Sequence, residues 1–133
     1  MQNLDRYTPY ALAALRIVAG ILFLLHGTQK LVGLPMPPEG GLPEAGTILW
    51  IGAWLELVGG TLLALGLFTR PAAFVISGEM AVAYWMFHAP ASLYPTLNGG
   101  DAAILFSFAF LLFVFAGPGA FSIDARLKSK AAP

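Results

Sequence analysis

Four apolar runs take up most of this 133-residue chain, and three of them carry a charged residue in mid-run: Arg16, Glu56 and Glu79. An unpaired charge at bilayer depth costs at least ~2.5 to 3.5 kcal/mol, so these side chains are expected to turn inward and meet one another. The composition fits a bilayer as the solvent. Hydrophobic residues make up 58% and charged residues 11%, with a mean hydropathy of +0.76, whereas a soluble domain carries about 25% charged residues. The reading is an all-α integral membrane four-helix bundle, a single domain over residues 1–133.

The runs cover about residues 9–32, 47–68, 71–88 and 101–116, followed by a tail over 120–133. A helix needs ~20 residues to cross the hydrocarbon and ~17 at the least, so the first two span comfortably and the last two need tilt or local thinning. Thr8 before Pro9 is expected to cap the first helix and Pro71 to open the third. Asn98, with Asp101 three residues on, is the cap expected for the fourth, which Gly117, Pro118 and Gly119 stop. The Pro- and Gly-rich stretch 33–46 reads as a loop and candidate lid. Arg6 precedes an apolar run, but no small-x-small cleavage site follows its apolar part, so an uncleaved first span is expected.

Arg6, Arg70, Arg126, Lys128 and Lys130 fall on one side while only Lys30 borders the other, which predicts that both termini are cytoplasmic. Trp50, Trp54, Tyr84 and Trp85 then form an outer aromatic belt, and Tyr7, Tyr10 and Phe68 an inner one. The chain has no cysteine, which excludes disulfides, a thiol relay, Cys-ligated iron–sulfur clusters and covalently attached haem. A formal net charge of +0 gives no basic footprint for nucleic acid.

At ~1.5 Å per residue, Arg16 and Glu79 stand ~10 and ~12 Å above the inner ends of their spans and Glu56 ~18 Å above its own, which predicts one ionic layer. Arg16, Gly20, Phe23, Gly27 and Lys30 share one helical stripe; Gly52, Glu56, Gly59, Leu63 and Gly66 share another. Small residues around a charge let helices approach, so both stripes are expected to face inward. His26 and His88 fall ~25 Å up, level with Gln29, Lys30, Asn98 and Asp101, as a polar mouth. Two accounts of the ionic layer stand side by side: an ion-pair cluster that fixes register, and a ligand or proton path. For the histidines they are interfacial hydrogen bonding and proton or ligand exchange. A bis-His haem b matches their depth alone, without a second His pair, and is set aside.

Arg16, Gly20, Phe23, His26, Gly27 and Lys30, then Glu56, Gly59, Gly60, Gly66 and Arg70, then His88, then Asn98 to Asp101, then Gly117 to Gly119, Ser122 and Asp124 make the chain resemble the DoxX family of small bacterial membrane proteins. The match in order and spacing runs nearly end to end, with Asp101 where a Glu is common. The resemblance implies a multi-pass four-helix protein of the bacterial inner membrane. Relatives include the DoxD-type subunit of a thiosulfate:quinone oxidoreductase, which implies quinone-linked oxidation of sulfur or thiols.

The expected function is therefore a quinone-interacting subunit of a redox system, with quinone as cofactor and no metal. In this reading Glu56, Glu79 and His26 supply protons, and Arg16 holds a carboxylate ionised. Lys30 or His26 donates to the quinone oxygens, Phe23, Trp54 and Trp85 pack the ring, and His88, Asn98 and Asp101 complete the mouth. No metal or flavin motif is visible, so electrons come from a directly reacting donor or a partner subunit, and whether the chain alone is an enzyme stays open. The expected partners are membrane lipid, a second copy of the chain, and a soluble oxidoreductase or second redox subunit. The alternatives are a non-catalytic anchor for soluble oxidoreductases and a small proton-coupled transporter, against which a positive Arg16 beside the carboxylates argues. Two mutational expectations follow: Arg16→Leu and Glu79→Gln compensate one another, and Lys30→Met leaves stability unchanged.

Overall fold

The computed structural model describes residues 3–131, which among themselves form helices, turns and loops with no strand. A 3₁₀ turn, Asp5–Tyr7, leads directly into α1, Thr8–Val32, so Tyr7 occupies the cap and the Thr8 side chain caps nothing. Pro9 still lies in the first turn, where its missing N–H is not needed. The α1 helix ends at Gly33, in the left-handed conformation with φ 71°. The following loop leads to Thr47, whose hydroxyl accepts from the Trp50 N–H at 3.3 Å and starts α2, Ile48–Leu65.

The expected run to 68 is cut short because Gly66 turns left-handed at φ 66°. Helix α3, Thr69–Ala83, begins two residues before Pro71 and continues into a π-helical turn, Tyr84–His88. A short α4, Pro95–Asn98, precedes α5, Asp101–Ala116, and the tail contains α6, Ile123–Ala131. Asn98 is not the cap of α5; its Oδ1 accepts from the Gly100 N–H at 2.7 Å and shapes the turn before it.

Two antiparallel pairs make the core. In the first, glycines bring α1 and α2 together backbone to backbone: a Cβ on Gly20 would lie 2.6 Å from Ala64 N, and one on Gly27 2.5 Å from Leu57 N. Only glycine fits there. In the second, the Ser77 hydroxyl donates to Ser107 O at 2.8 Å and the Ser107 hydroxyl to Ser77 O at 3.0 Å, a reciprocal latch between α3 and α5. Between the pairs Phe23, Phe106 and Phe110 pack together, with ring centroids 4.8 to 5.4 Å apart: Phe106 and Phe110 stack, and Phe23 meets Phe110 edge-on. The outward faces are apolar: Leu15, Val18, Leu22, Val58, Phe74, Leu105, Phe108 and Phe115 are all exposed. Such a surface is costly in water and neutral in lipid. Helix α2, and α1 with its leading turn, are each long and apolar enough to cross a membrane, while α5 is apolar and shorter.

At the end where α2 stops, side chains close the helices. Arg70 donates to Val114 O and Phe115 O at the end of α5, and the Ala120 N–H donates to Pro9 O at 2.9 Å. The Asp124 carboxylate accepts from Phe68 N and Thr69 N, both at 2.9 Å, so a residue of α6 caps α3. Burial pushes the Asp124 pKa up, but those N–H donors and nearby Lys128 outweigh it and hold it below the usual carboxylate value. A depressed folded pKa means stability that is complete above the unfolded value of about 3.9 and is lost as pH falls through the folded one. Asp124→Ala is expected to cost about 1 to 2 kcal/mol near neutral pH, a loss that shrinks toward zero in strong acid. Unfolding curves of both proteins in mild detergent, taken across that pH range, check it.

Candidate functional site

The expected ionic layer divides in two. Arg16 is 0% exposed, yet it meets neither glutamate. Its Nε donates to Pro118 O at 2.8 Å, Nη1 to Leu63 O and Ala64 O at 2.6 and 2.7 Å, and Nη2 to Ala120 O and Phe121 O at 3.2 and 3.0 Å. A guanidinium has five N–H donors, and here backbone carbonyls take all of them. Arg16 ties the end of α2 to the segment after α5, and its expected role beside a carboxylate is overturned.

The carboxylates lie toward the other end, on the wall of a cavity of about 610 Å³ lined by α1, α2, α3 and α5. Glu56 Oε1 accepts from Lys30 Nζ at 2.6 Å, with the Glu56 side chain 3% and the Lys30 side chain 28% exposed. Glu56 Oε2 and Glu79 Oε2 are buried without a hydrogen-bond partner. Gly52, one helical turn before Glu56, makes room for the second carboxylate: a Cβ there would lie 3.1 Å from Glu79 Oε1. Phe23, Leu49, Leu55, Met80, Ala103 and Phe106 give the apolar wall. Ile51, Val75 and Val82, exposed on the outer faces of α2 and α3, place a mouth between those helices.

Both expected histidines line the same space. His26 Nδ1 lies 2.8 Å from Leu22 O and His88 Nδ1 3.0 Å from Asn98 O. A carbonyl only accepts, so each ring is oriented by an Nδ1–H that donates to the backbone, with Nε2 left unpaired among the described residues.

Of the residues expected to form the site, Phe23, His26, Lys30, Glu56, Glu79 and His88 line one cavity. Trp54 and Trp85 are 45% and 67% exposed and do not line it, so they do not pack a bound ring. Asp101 is exposed at the start of α5, and Asn98 supports the site indirectly through His88. Gly52, Met80 and Phe106 were missed. Gly52 had a signal, since it shares the helical stripe of Glu56.

A chain whose described residues are helical, with apolar outward faces and a cavity between helix pairs that carries a few polar groups, is a membrane protein of the small helical kind. The chain belongs to the DoxX family, whose model matches residues 11–89. It is 46% identical to an uncharacterized protein of Haemophilus influenzae, over 98% of this chain and 100% of that one. An uncharacterized membrane protein of Mycobacterium tuberculosis is 29% identical, over 92% of this chain and 85% of that one. Inner membrane protein YqjF of Escherichia coli is 30% identical, over 86% and 90% respectively. No solved structure matches the chain.

Proposed function

We propose that this protein is a multi-pass protein of the bacterial inner membrane that binds the head group of a quinone in the cavity between its helix pairs, as a subunit of a redox system. One observation carries the reading: a cavity of about 610 Å³ whose largely apolar wall carries a few polar groups, Lys30, Glu56, Glu79, His26 and His88. Ligand sites of roughly 300 to 1,000 Å³ have this character, apolar with a few convergent polar groups. The mouth between α2 and α3 opens onto the apolar outer surface, the route by which a lipid-soluble molecule would enter. Phe23 and Phe106 would flank the ring. Lys30, the lining side chain with free N–H donors, would hold one oxygen, and the glutamates would hold or pass protons.

Calorimetry with a short-tail benzoquinone on purified protein tests this, in the oxidised and reduced states. Saturable binding of either state supports it, and failure of both in detergent and in lipid discs overturns it. Arg16 lies away from the carboxylates, but the Lys30 ammonium stands 2.6 Å from Glu56 Oε1 in the same cavity, so a positive neighbour still argues against a cationic substrate and a proton-coupled carrier.

The orientation belongs to the same reading. The basic residues Arg6, Arg70 and Arg126 gather at the end closed by Arg16 and Asp124, while Lys30 marks the opposite end. Single cysteines placed at Glu39 and Thr96 of this Cys-free chain are expected to react with an impermeant thiol reagent on intact cells, and one at Ser129 is not. Labelling at Ser129 would reverse the orientation.

A further inference from the structure

Charge is divided unequally between the two ends of the molecule. Six of the seven Lys and Arg residues, all but Lys30, belong to the end closed by Arg16 and Asp124, and of the seven carboxylates only Asp5 and Asp124 stand with them. That end also carries a groove of about 290 Å³ between the start of α3 and the side of α6. Arg70 and Lys128 line it, together with the apolar Phe68, Pro71, Pro118 and Leu127. Arg70 spends only Nη1 on the backbone, donating to Val114 O and Phe115 O. Among the described residues its Nε and Nη2 hydrogens meet no acceptor, and the exposed Lys128 forms no ion pair. Asp124 lines the groove too, but its carboxylate is held by the Phe68 and Thr69 N–H groups, both at 2.9 Å. One anion against two cations leaves the groove positive.

We propose that Arg70 and Lys128 hold the phosphate of an anionic phospholipid in this groove, a site apart from the cavity and independent of what occupies the cavity. Height is the first reason. Arg70 is tied to carbonyls in the last turn of α5, whose apolar run stops at Ala116, so its charge stands where hydrocarbon gives way to headgroups. The mixed lining is the second. Phe68 and Leu127 are 63% and 54% exposed beside the two cations, an apolar rim that a soluble phosphate would leave bare and the glycerol and first acyl methylenes of a lipid would cover. Charge then decides among lipids. A zwitterionic headgroup brings its own cation, which Arg70 and Lys128 repel and for which Asp124 is already engaged, whereas phosphatidylglycerol brings none.

The test is native mass spectrometry of the full chain released from mild-detergent micelles, titrated with phosphatidylglycerol and with phosphatidylcholine of the same acyl chains. One phosphatidylglycerol is expected to be retained roughly fivefold or more tightly than phosphatidylcholine, the scale of a basic residue's attraction to an anionic membrane surface. Lys128→Gln removes an exposed cation with no partner of its own, so folding is not at stake, and it is expected to bring the two lipids within about twofold of each other. Arg126→Gln removes the same charge from the same helix outside the groove. At physiological salt it is expected to leave the preference within about twofold of that of the unaltered protein. Equal losses from the two variants, or equal binding of the two lipids, overturns the site in favour of a diffuse basic surface. Displacement of the lipid by millimolar glycerol phosphate also overturns it, because the groove would then take a soluble phosphate without using its apolar rim.

Discussion

Replacing Arg16 by Leu is expected to cost roughly 4 kcal/mol or more, enough that little folded protein accumulates. The loss would not be that of an ion pair. Five backbone carbonyls accept from this guanidinium, and each buried acceptor left bare costs about 1 to 3 kcal/mol, less whatever the loop recovers by shifting. Arg16→Lys is expected to recover less than half, because an ammonium is a point charge with three donors and cannot fork to carbonyls on two segments. The pairing with Glu79 expected from depth is replaced by independence. The costs of Arg16→Leu and Glu79→Gln are expected to add within about 0.5 kcal/mol. Unfolding of the two single variants and the double in the same detergent measures this, and compensation between them would restore the ion-pair account.

The stripes that sequence placed inward are inward: Arg16, Gly20, Phe23 and Gly27 on α1, and Glu56, Gly59 and Leu63 on α2, are buried. That much was legible because a charge or a glycine in an apolar run has one physical reason to be there. The partner of Arg16 was not legible. Its acceptors are backbone carbonyls, which every residue carries, and only the return of residues 117–121 toward α1 brings three of them to it. Counting rise per residue gives height along a helix and says nothing about which segment folds back at that height.

The misplaced tryptophans have a different cause. Trp54 stands two residues before Glu56, about 200° around a helix, and Trp85 six residues after Glu79, about 240° around it, so both belong on the far face. Depth had been weighed there and direction had not. The end of α2 was a matter of degree, since apolarity continues through Leu67 and Phe68 but Gly66 turns left-handed. The helix in the tail was masked by charge: Arg126, Lys128 and Lys130 read as solvated chain, and what anchors α6 is Asp124 reaching back to cap α3.

Lys30→Met is expected to destabilise the protein by about 2 to 3 kcal/mol, where depth alone had suggested a residue near water that could be lost freely. Breaking a buried pair from one side costs about 3 to 5 kcal/mol because the other charge stays behind. Here the two sides differ. The Glu56 side chain is 3% exposed and the Lys30 side chain 28%, so a stranded lysine can turn to solvent while a stranded glutamate cannot. Glu56→Gln alone is therefore expected to cost less, about 1 kcal/mol. Glu56→Gln added to Lys30→Met is expected to return most of what the lysine change removed, a coupling of at least about 1 kcal/mol. Chemical unfolding of the four proteins in one detergent closes the cycle. A glutamate change as costly as the lysine change would mean that Lys30 is held as tightly as its partner, and then its remaining hydrogens are not free to reach a ligand in the cavity.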